Sequence, residues 1–287
     1  MASMKDIKRR KESIQSTGQI TRAMKLVATV KFQKAKGKAE NARPYFDAMY
    51  NTVSDMLAGS GSIDHPYLKG KDTEKKAVIV ITANRGLAGG YNSNVIKMVT
   101  GSGIPAKDAV IYAVGIKGKD YLAKRNYTIA KDYSEVINEP LYSDAMEIGK
   151  EVLRAFEAGE IGEIYLAYTG FKNTVVHEPK LVKLLPISAE DVKAEQKSTA
   201  DNALFCYEPE EEEALDIIIP KYINSLIYGA LMESVASENG ARMTAMDNAT
   251  NNAEDMISDL SLKYNRARQG SITQELTEII AGANAIS

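Results

Sequence analysis

The 287 residues include no tryptophan, one cysteine, two histidines and no long unbroken apolar run. Each shortage closes off a class of protein. The lone thiol, Cys206, cannot form an internal disulfide, and the composition suits a reducing compartment. His65, His177 and Cys206 are too few for a zinc centre, so no metal and no cofactor are expected. No segment approaches the roughly 18 apolar residues of a membrane-spanning helix. The first ten residues hold Lys5, Lys8, Arg9 and Arg10 with no apolar block behind them, so no secretory leader is expected. No nucleophile stands in a pattern with a base, and the chain reads as non-catalytic.

What the chain has is a long proline-free end. Between Pro220 and Ser287 apolar or small residues recur at steps of three and four: Met232, Val235, Met243, Met246, Ala249, Ala253, Met256, Leu260, Tyr264 and Ala267. That period predicts a helix with one narrow stripe. A run of about 60 residues would reach roughly 90 Å and needs a partner along its length. The stripe is soft, built of Met and Ala, and the intervening Asn, Ser, Thr and acids read as solvated faces.

A second long helix is expected over 3–57. Met4, Ile7, Ile14, Ile20, Met24 and Val27 form its stripe, with Lys11 and Thr17 between them. Pro44 should kink it. Met49, Val53, Met56 and Leu57 carry the pattern on to Gly59-Ser60-Gly61, which stops it. Lys31, Lys34, Lys36 and Lys38 form a cationic surface. In residues 1–50 twelve Lys and Arg stand against four acids, whereas 205–287 hold five against fourteen. Oppositely charged terminal helices attract, although each exposed pair contributes little.

The middle follows another grammar. Residues 77–82, 109–114 and 164–168 are continuous apolar runs of strand length, as for strands covered on both faces. Residues 174–176 to 181–185 add a hairpin strand or two. Helix patterns occupy 91–100, 117–125 and 143–158, the last with Ala145, Met146, Ile148, Val152, Leu153 and Phe156 inward. Alternating strand and helix predicts a mostly parallel, Rossmann-like α/β layer. Residues 60–76 read as a loop and 187–205 as polar and irregular. The fold class is therefore α/β: a long antiparallel coiled coil of the terminal helices with an inserted α/β domain. The expected division is 1–60 and 208–287 as one discontinuous coiled-coil domain and 75–205 as the other. The terminal helices are expected to pair only with each other.

Two glycine clusters resemble phosphate loops without matching one. Gly86, Gly89 and Gly90 are spaced G-x-x-G-G, which is not the dinucleotide fingerprint. Gly115-Ile116-Lys117-Gly118 lacks the earlier glycine and the hydroxyl residue of a Walker loop. Tight turns account for both, and no direct nucleotide binding is expected. The acids from Glu210 to Glu213 suit the first turn of a helix. The basic segment 5–38 leaves one alternative open, a coiled-coil adaptor binding nucleic acid. Without interleaved aromatics it is the weaker reading, and no nucleic-acid partner is expected.

Three segments then carry a family resemblance: Ile7-Lys8-Arg9-Arg10 through Gln19 to Ala28; Thr82 to Asn92; and Ala241 to Thr250 joined to Tyr264-Asn265-Arg266-Ala267-Arg268-Gln269 and Ile272 to Ile279. Together they resemble the gamma subunit of F-type ATP synthase over essentially the whole chain. The resemblance implies a non-catalytic central rotor stalk that couples ion-driven rotation to the beta subunits. Its implied partners are the alpha and beta subunits of the catalytic ring, the epsilon subunit and the membrane c-ring. Its implied location is peripheral, on the cytoplasmic face of a bacterial cell membrane, in keeping with the absence of a transit segment. It also implies contacts with beta at Arg268, Gln269, Thr273 and Glu275, and at Met24, Arg22 and Lys25, with Arg242 coupled to that region. The chain departs from the family pattern at Ala83-Asn84, where many relatives have Ser-Asp, and it lacks the cysteine pair of the chloroplast form.

Overall fold

Both prolines lie inside continuous helices. In a computed structural model of the chain, α1 spans Met4–Gly59 through Pro44, and the last helix, α5, spans Glu211–Ile286 through Pro220. A proline deletes one amide donor, and packing on either side carries the helix past it. The structure describes residues 4–59, 65–71, 73–173, 176–187 and 211–286. Residues 60–64 and 72 of the expected loop at 60–76, the start of the expected hairpin at 174–175, Cys206, Glu210 and all but Ile187 of the stretch 187–205 lie outside those residues.

Between the long helices come β1 (Lys76–Ile81), α2 (Tyr91–Thr100), β2 (Ala109–Val114), α3 (Ile116–Ala123), β3 (Thr128–Asp132), a 3-10 turn (Val136–Asn138), α4 (Tyr142–Glu157), β4 (Glu163–Phe171) and β5 (His177–Leu185). The strand order is β3-β2-β1-β4-β5. The first four strands are parallel and β5 runs antiparallel to β4. The apolar runs of β1 and β2 are buried on both faces, as their sequences require. β3 was not foreseen. It is an exposed edge strand, and its sequence Thr-Ile-Ala-Lys-Asp holds no apolar run.

The chain divides into two compact units, Met1–Thr29 with Arg242–Ser287, and Val30–Ala241. They are called here the terminal and central units. The central unit holds the core. Val78, Val80, Ile111 and Ala113 meet Val95 and Val99 of α2 and Leu122 of α3 on one sheet face. Ile79, Ile81, Val114 and Leu166 meet Ile148, Val152 and Phe156 of α4 on the other, together with Val53 and Met56 of α1 and Leu215, Ile223 and Ile227 of α5. Fully burying each such side chain contributes about 1.5–3 kcal/mol, so most apolar stabilisation lies here.

Within this unit the two long helices run antiparallel. Phe32 and Ala35 pack with Ala236, and further along α1 the Phe46 ring lies 6.2 Å from that of Tyr228. The expectation that the terminal helices pair only with each other fails here. From Tyr222 to Ala241 no residue of α5 is exposed, because the helix packs on the α/β layer as well as on α1. Ser225, Ser234, Ser237 and Asn239, read as solvated, are buried. Ser225 donates to the Tyr222 carbonyl at 2.7 Å and Asn239 to that of Val235 at 2.8 Å, while Ser237 reaches the Thr169 carbonyl at 3.3 Å. Small polar side chains that bond backbone carbonyls let neighbouring backbones come close, although Ser234 Oγ and Asn224 Oδ1 are buried with no hydrogen-bond partner among the described residues. Gly149 shows how close: a Cβ there would overlap the Asn224 amide oxygen. Met146, expected to face inward from α4, is exposed.

Candidate interaction surface

All eight residues expected to make contacts lie in the terminal unit. Here α1 turns a seven-residue repeat toward α5: Met4, Ile7, Lys11, Ile14, Gly18, Thr21, Lys25 and Ala28 are its less exposed positions. The answering positions are Met246, Thr250, Ala253, Ile257, Leu260, Tyr264, Ala267 and Ser271. The seam is antiparallel and small. Thr21 and Thr250 share a hydroxyl–hydroxyl bond of 2.8 Å, and a Cβ on Gly18 would lie 3.3 Å from that of Ala253. Arg22 pairs with Glu254 at 2.5 Å and Lys25 with Asp247 at 2.6 Å, which gives the opposite charges of the two ends specific partners. Arg22–Glu254 is solvent-exposed and Lys25–Asp247 half-exposed, and pairs so open to water contribute about 0.2–1 kcal/mol each.

This seam corrects the expected stripe. Ile20 and Val27 were placed in it but are exposed, together with Leu26 and Val30. At 100° per residue these four share an arc of α1 opposite Thr21 and Ala28. The sequence contains two competing stripes, and the larger side chains marked the wrong one. On α5, Ala249 and Met256 yield their seam places to Thr250 and Ile257 by one position each.

The expected contact residues fall into two groups that the fold does not bring together. Arg22, Met24, Lys25 and Arg242 belong to the Thr21–Thr250 level. Arg22 and Lys25 are engaged by acids of α5, and Met24 and Arg242 are half-buried. Arg268, Gln269, Thr273 and Glu275 lie about 30 Å further along α5 at 1.5 Å per residue. All four are exposed. The Thr273 hydroxyl donates to the Gln269 carbonyl at 2.9 Å, and Glu275 accepts from Ser271 at 3.3 Å. Arg268 has no ion-pair partner among the described residues.

From Ile272 to Asn284 every residue of α5 is exposed. Ile272, Leu276, Ile279 and Ile280 stand on one side of that helix, with Arg268 and Gln269 at its near end. Large apolar side chains exposed together along one helix side make this the candidate interaction surface among the described residues. The sequence signal for this stripe was its i, i+4, i+7, i+8 spacing, which does not continue the seam.

The Gly115–Gly118 turn of the central unit is filled by the chain itself, whereas Gly86 and Gly89 border open space. At the start of α3, Ile116 N–H donates to Asn84 Oδ1 at 3.0 Å, Lys117 N–H to the Ala83 carbonyl at 3.1 Å and Gly118 N–H to Thr82 Oγ1 at 2.9 Å. The amides that a phosphate would use are occupied. Gly115 sits at φ 108, where a Cβ would overlap the Thr82 carbonyl. The cationic surface beyond Val30 is also partly neutralised. Lys34 and Lys38 both reach Glu139, at 2.8 and 3.8 Å, and hold that carboxyl below its ordinary range. Among the described residues there is no cluster of three or more His, Cys, Asp or Glu able to hold a metal ion, and no helix long and apolar enough to cross a membrane.

A family profile described as "ATP synthase" matches residues 3–286. The ATP synthase gamma chain of Lachnoclostridium phytofermentans is 71% identical over the full length of both chains. The sodium-ion-specific ATP synthase gamma chain of Acetobacterium woodii is 42% identical, with 99% of each chain covered. Among solved structures, the fold is similar to a chain of the Euglena gracilis mitochondrial ATP synthase assembly of OSCP, F1 and c-ring, with TM-score 0.70 at 19% identity over 99% of this chain and 94% of that one. It is also similar to a chain of the Tetrahymena thermophila mitochondrial ATP synthase central stalk and c-ring, with TM-score 0.59 at 25% identity over 80% of this chain and 99% of that one.

Proposed function

The chain belongs to the family of ATP synthase gamma chains, and from that premise we propose that it is the central rotor of an ion-driven ATP synthase. The rotor is not itself catalytic. Residues 1–60 and 208–287 act as its shaft and 75–205 as the α/β body. The shaft turns within a ring of alpha and beta subunits, and the body meets epsilon and the membrane c-ring. The complex sits peripherally on the cytoplasmic face of a bacterial cell membrane.

One observation carries this reading beyond family membership: α5 ends in a fully exposed segment whose sides differ in chemistry. Ile272, Leu276, Ile279 and Ile280 make one side apolar, while Glu275 and Glu278 put acids elsewhere on the same turns. A rotor biases its neighbours only if each orientation offers them a different interaction energy. Unequal sides supply that difference. On this reading Arg268, Gln269, Thr273 and Glu275 contact beta near the tip, whereas Met24 with Arg22, Lys25 and Arg242 forms a second contact level. Because Arg22 and Lys25 already pair with Glu254 and Asp247, their approach to beta trades one acidic partner for another. Such exchange between exposed pairs costs little.

The test is reconstitution with alpha, beta, epsilon and the membrane sector. The chain alone hydrolyses no ATP. Gln269→Leu with Thr273→Val lowers the number of ions pumped per ATP while the chain stays folded. Full coupling in that double variant would remove these residues from the contact set, and ATP hydrolysis by the purified chain would remove the rotor reading.

A further inference from the structure

Pro44 leaves a gap in α1. It has no amide to offer the Glu40 carbonyl, and its ring crowds that carbonyl, so the helical ladder is interrupted there. α1 nevertheless continues to Gly59. Pro44 is itself exposed, so its own packing does not carry the helix through.

The segment that leads into α4 reaches α1 on both sides of the gap. Glu139 pairs with Lys34 at 2.8 Å and lies 3.8 Å from Lys38. Three residues later the Tyr142 hydroxyl donates to that of Tyr45, and its ring meets Tyr228 of α5 edge-on with centroids 5.7 Å apart. Lys34, Lys38 and Tyr45 fall within about 40° of one another around α1. Lys38 and Tyr45 are about 10 Å apart along that face at 1.5 Å per residue, and three extended residues cover about 10 Å. The backbone takes the shape this match requires: Glu139 has φ −152, and Leu141 has φ −113 with ψ 159. The sequence favours it, since Pro140 steers the residue before it away from helix. Pro140 is buried, and Leu141 N–H donates to Asp144 Oδ2 at 2.9 Å, which fixes the segment to the central unit.

We propose that Glu139–Tyr142 is a splint, an extended segment that holds α1 as one helix across Pro44. Each ion pair alone is weak, because Glu139 and its lysines are open to water. Mounted on one fixed segment the contacts act at high effective concentration, so when one end lets go the other keeps it within reach. The splint is a property of the folded chain and does not depend on the rotor reading.

The test is amide hydrogen exchange of the full-length chain, followed by mass spectrometry. Glu139→Gln with Tyr142→Phe raises exchange over residues 41–48 about tenfold and leaves residues 10–25 unchanged. The same pair of substitutions in a Pro44→Ala background changes exchange over 41–48 by less than twofold, because the alanine amide completes the ladder. Equal acceleration in both backgrounds would mean that these contacts hold α1 to the central unit without serving the break. No acceleration in either would mean that they hold nothing. Both results overturn the splint. If the paired substitution unfolds the chain, each single one carries the same comparison: Glu139→Gln acts mainly on residues before Pro44 and Tyr142→Phe on those after it, and both effects vanish with Pro44→Ala.

Discussion

α5 leads two different lives. Over Tyr222–Ala241 nothing on it is exposed, whereas from Ile272 to Asn284 everything is. The local sequences differ less than this contrast suggests, since both stretches mix Ile, Leu, Ala and Gly with small polar residues. Surroundings decide. The inner stretch is enclosed by α1, α4 and the sheet, and Ser225 and Ser237 bond backbone carbonyls there. Ile272, Ile279 and Ile280 of the outer stretch are exposed among the described residues and face solvent. The same helix therefore anchors in one place and presents a surface in the other.

The sharpest way to break this comparison is one substitution made twice. Leu231→Ala empties a fully buried site and costs about 2–5 kcal/mol. Leu276→Ala removes the same atoms from an exposed site and changes stability by less than about 0.5 kcal/mol, while lowering coupling in the complex. Denaturant titration of both variants checks this, and equal losses would mean the outer stretch is packed after all.

Next in size is a charge cluster of the central unit. Burial pushes the Glu163 carboxyl up, but hydrogen bonds from Lys76, Lys183 and Tyr165 outweigh it and bring the group down to about 2. A folded value below the unfolded one adds stability above roughly pH 4.5, which is lost as the pH falls toward 2. Glu163→Gln should cost about 1–2 kcal/mol at pH 7, and the gap to the unsubstituted chain should narrow between pH 4.5 and 2. A constant gap would mean the charge is not what holds the cluster.

In the terminal unit the effects shrink. Thr250→Val leaves Thr21 without its cross-helix partner and should cost about 1 kcal/mol. Adding Thr21→Val should cost no more, because both polar groups are then gone; full additivity in the double variant would disprove the shared bond. Smallest is the Lys25–Asp247 pair. Its double-mutant cycle should give less than about 1 kcal/mol at low salt and nearly nothing at 1 M.

The same contrast explains what the sequence could disclose. β1, β2 and α2 were legible because enclosure on both faces, or on one helical face, leaves an unbroken or periodic apolar pattern. β3 was not, since an edge strand made of Thr, Lys and Asp resembles a loop until its neighbour is known. The α1 stripe was misplaced because Ile20 and Val27 are larger than Gly18, Thr21 and Ala28, and size suggests burial. Where two helices approach closely, the seam belongs to the small residues. The candidate surface at Arg268–Glu275 was named through a family signature. Periodicity could mark Ile272, Leu276, Ile279 and Ile280 as a stripe but not say whether it was covered.

The Thr21–Thr250 bond joins positions 229 residues apart. At roughly 5–20 residues per second, the ribosome adds Thr21 about 11–46 seconds before it adds Thr250. Through that interval Gly18, Thr21 and Lys25 occupy the waiting seam in place of leucines, alongside a strong excess of positive charge. A nascent chain built this way is slow to adhere to its neighbours, and the last helix to be made is the one that completes the first.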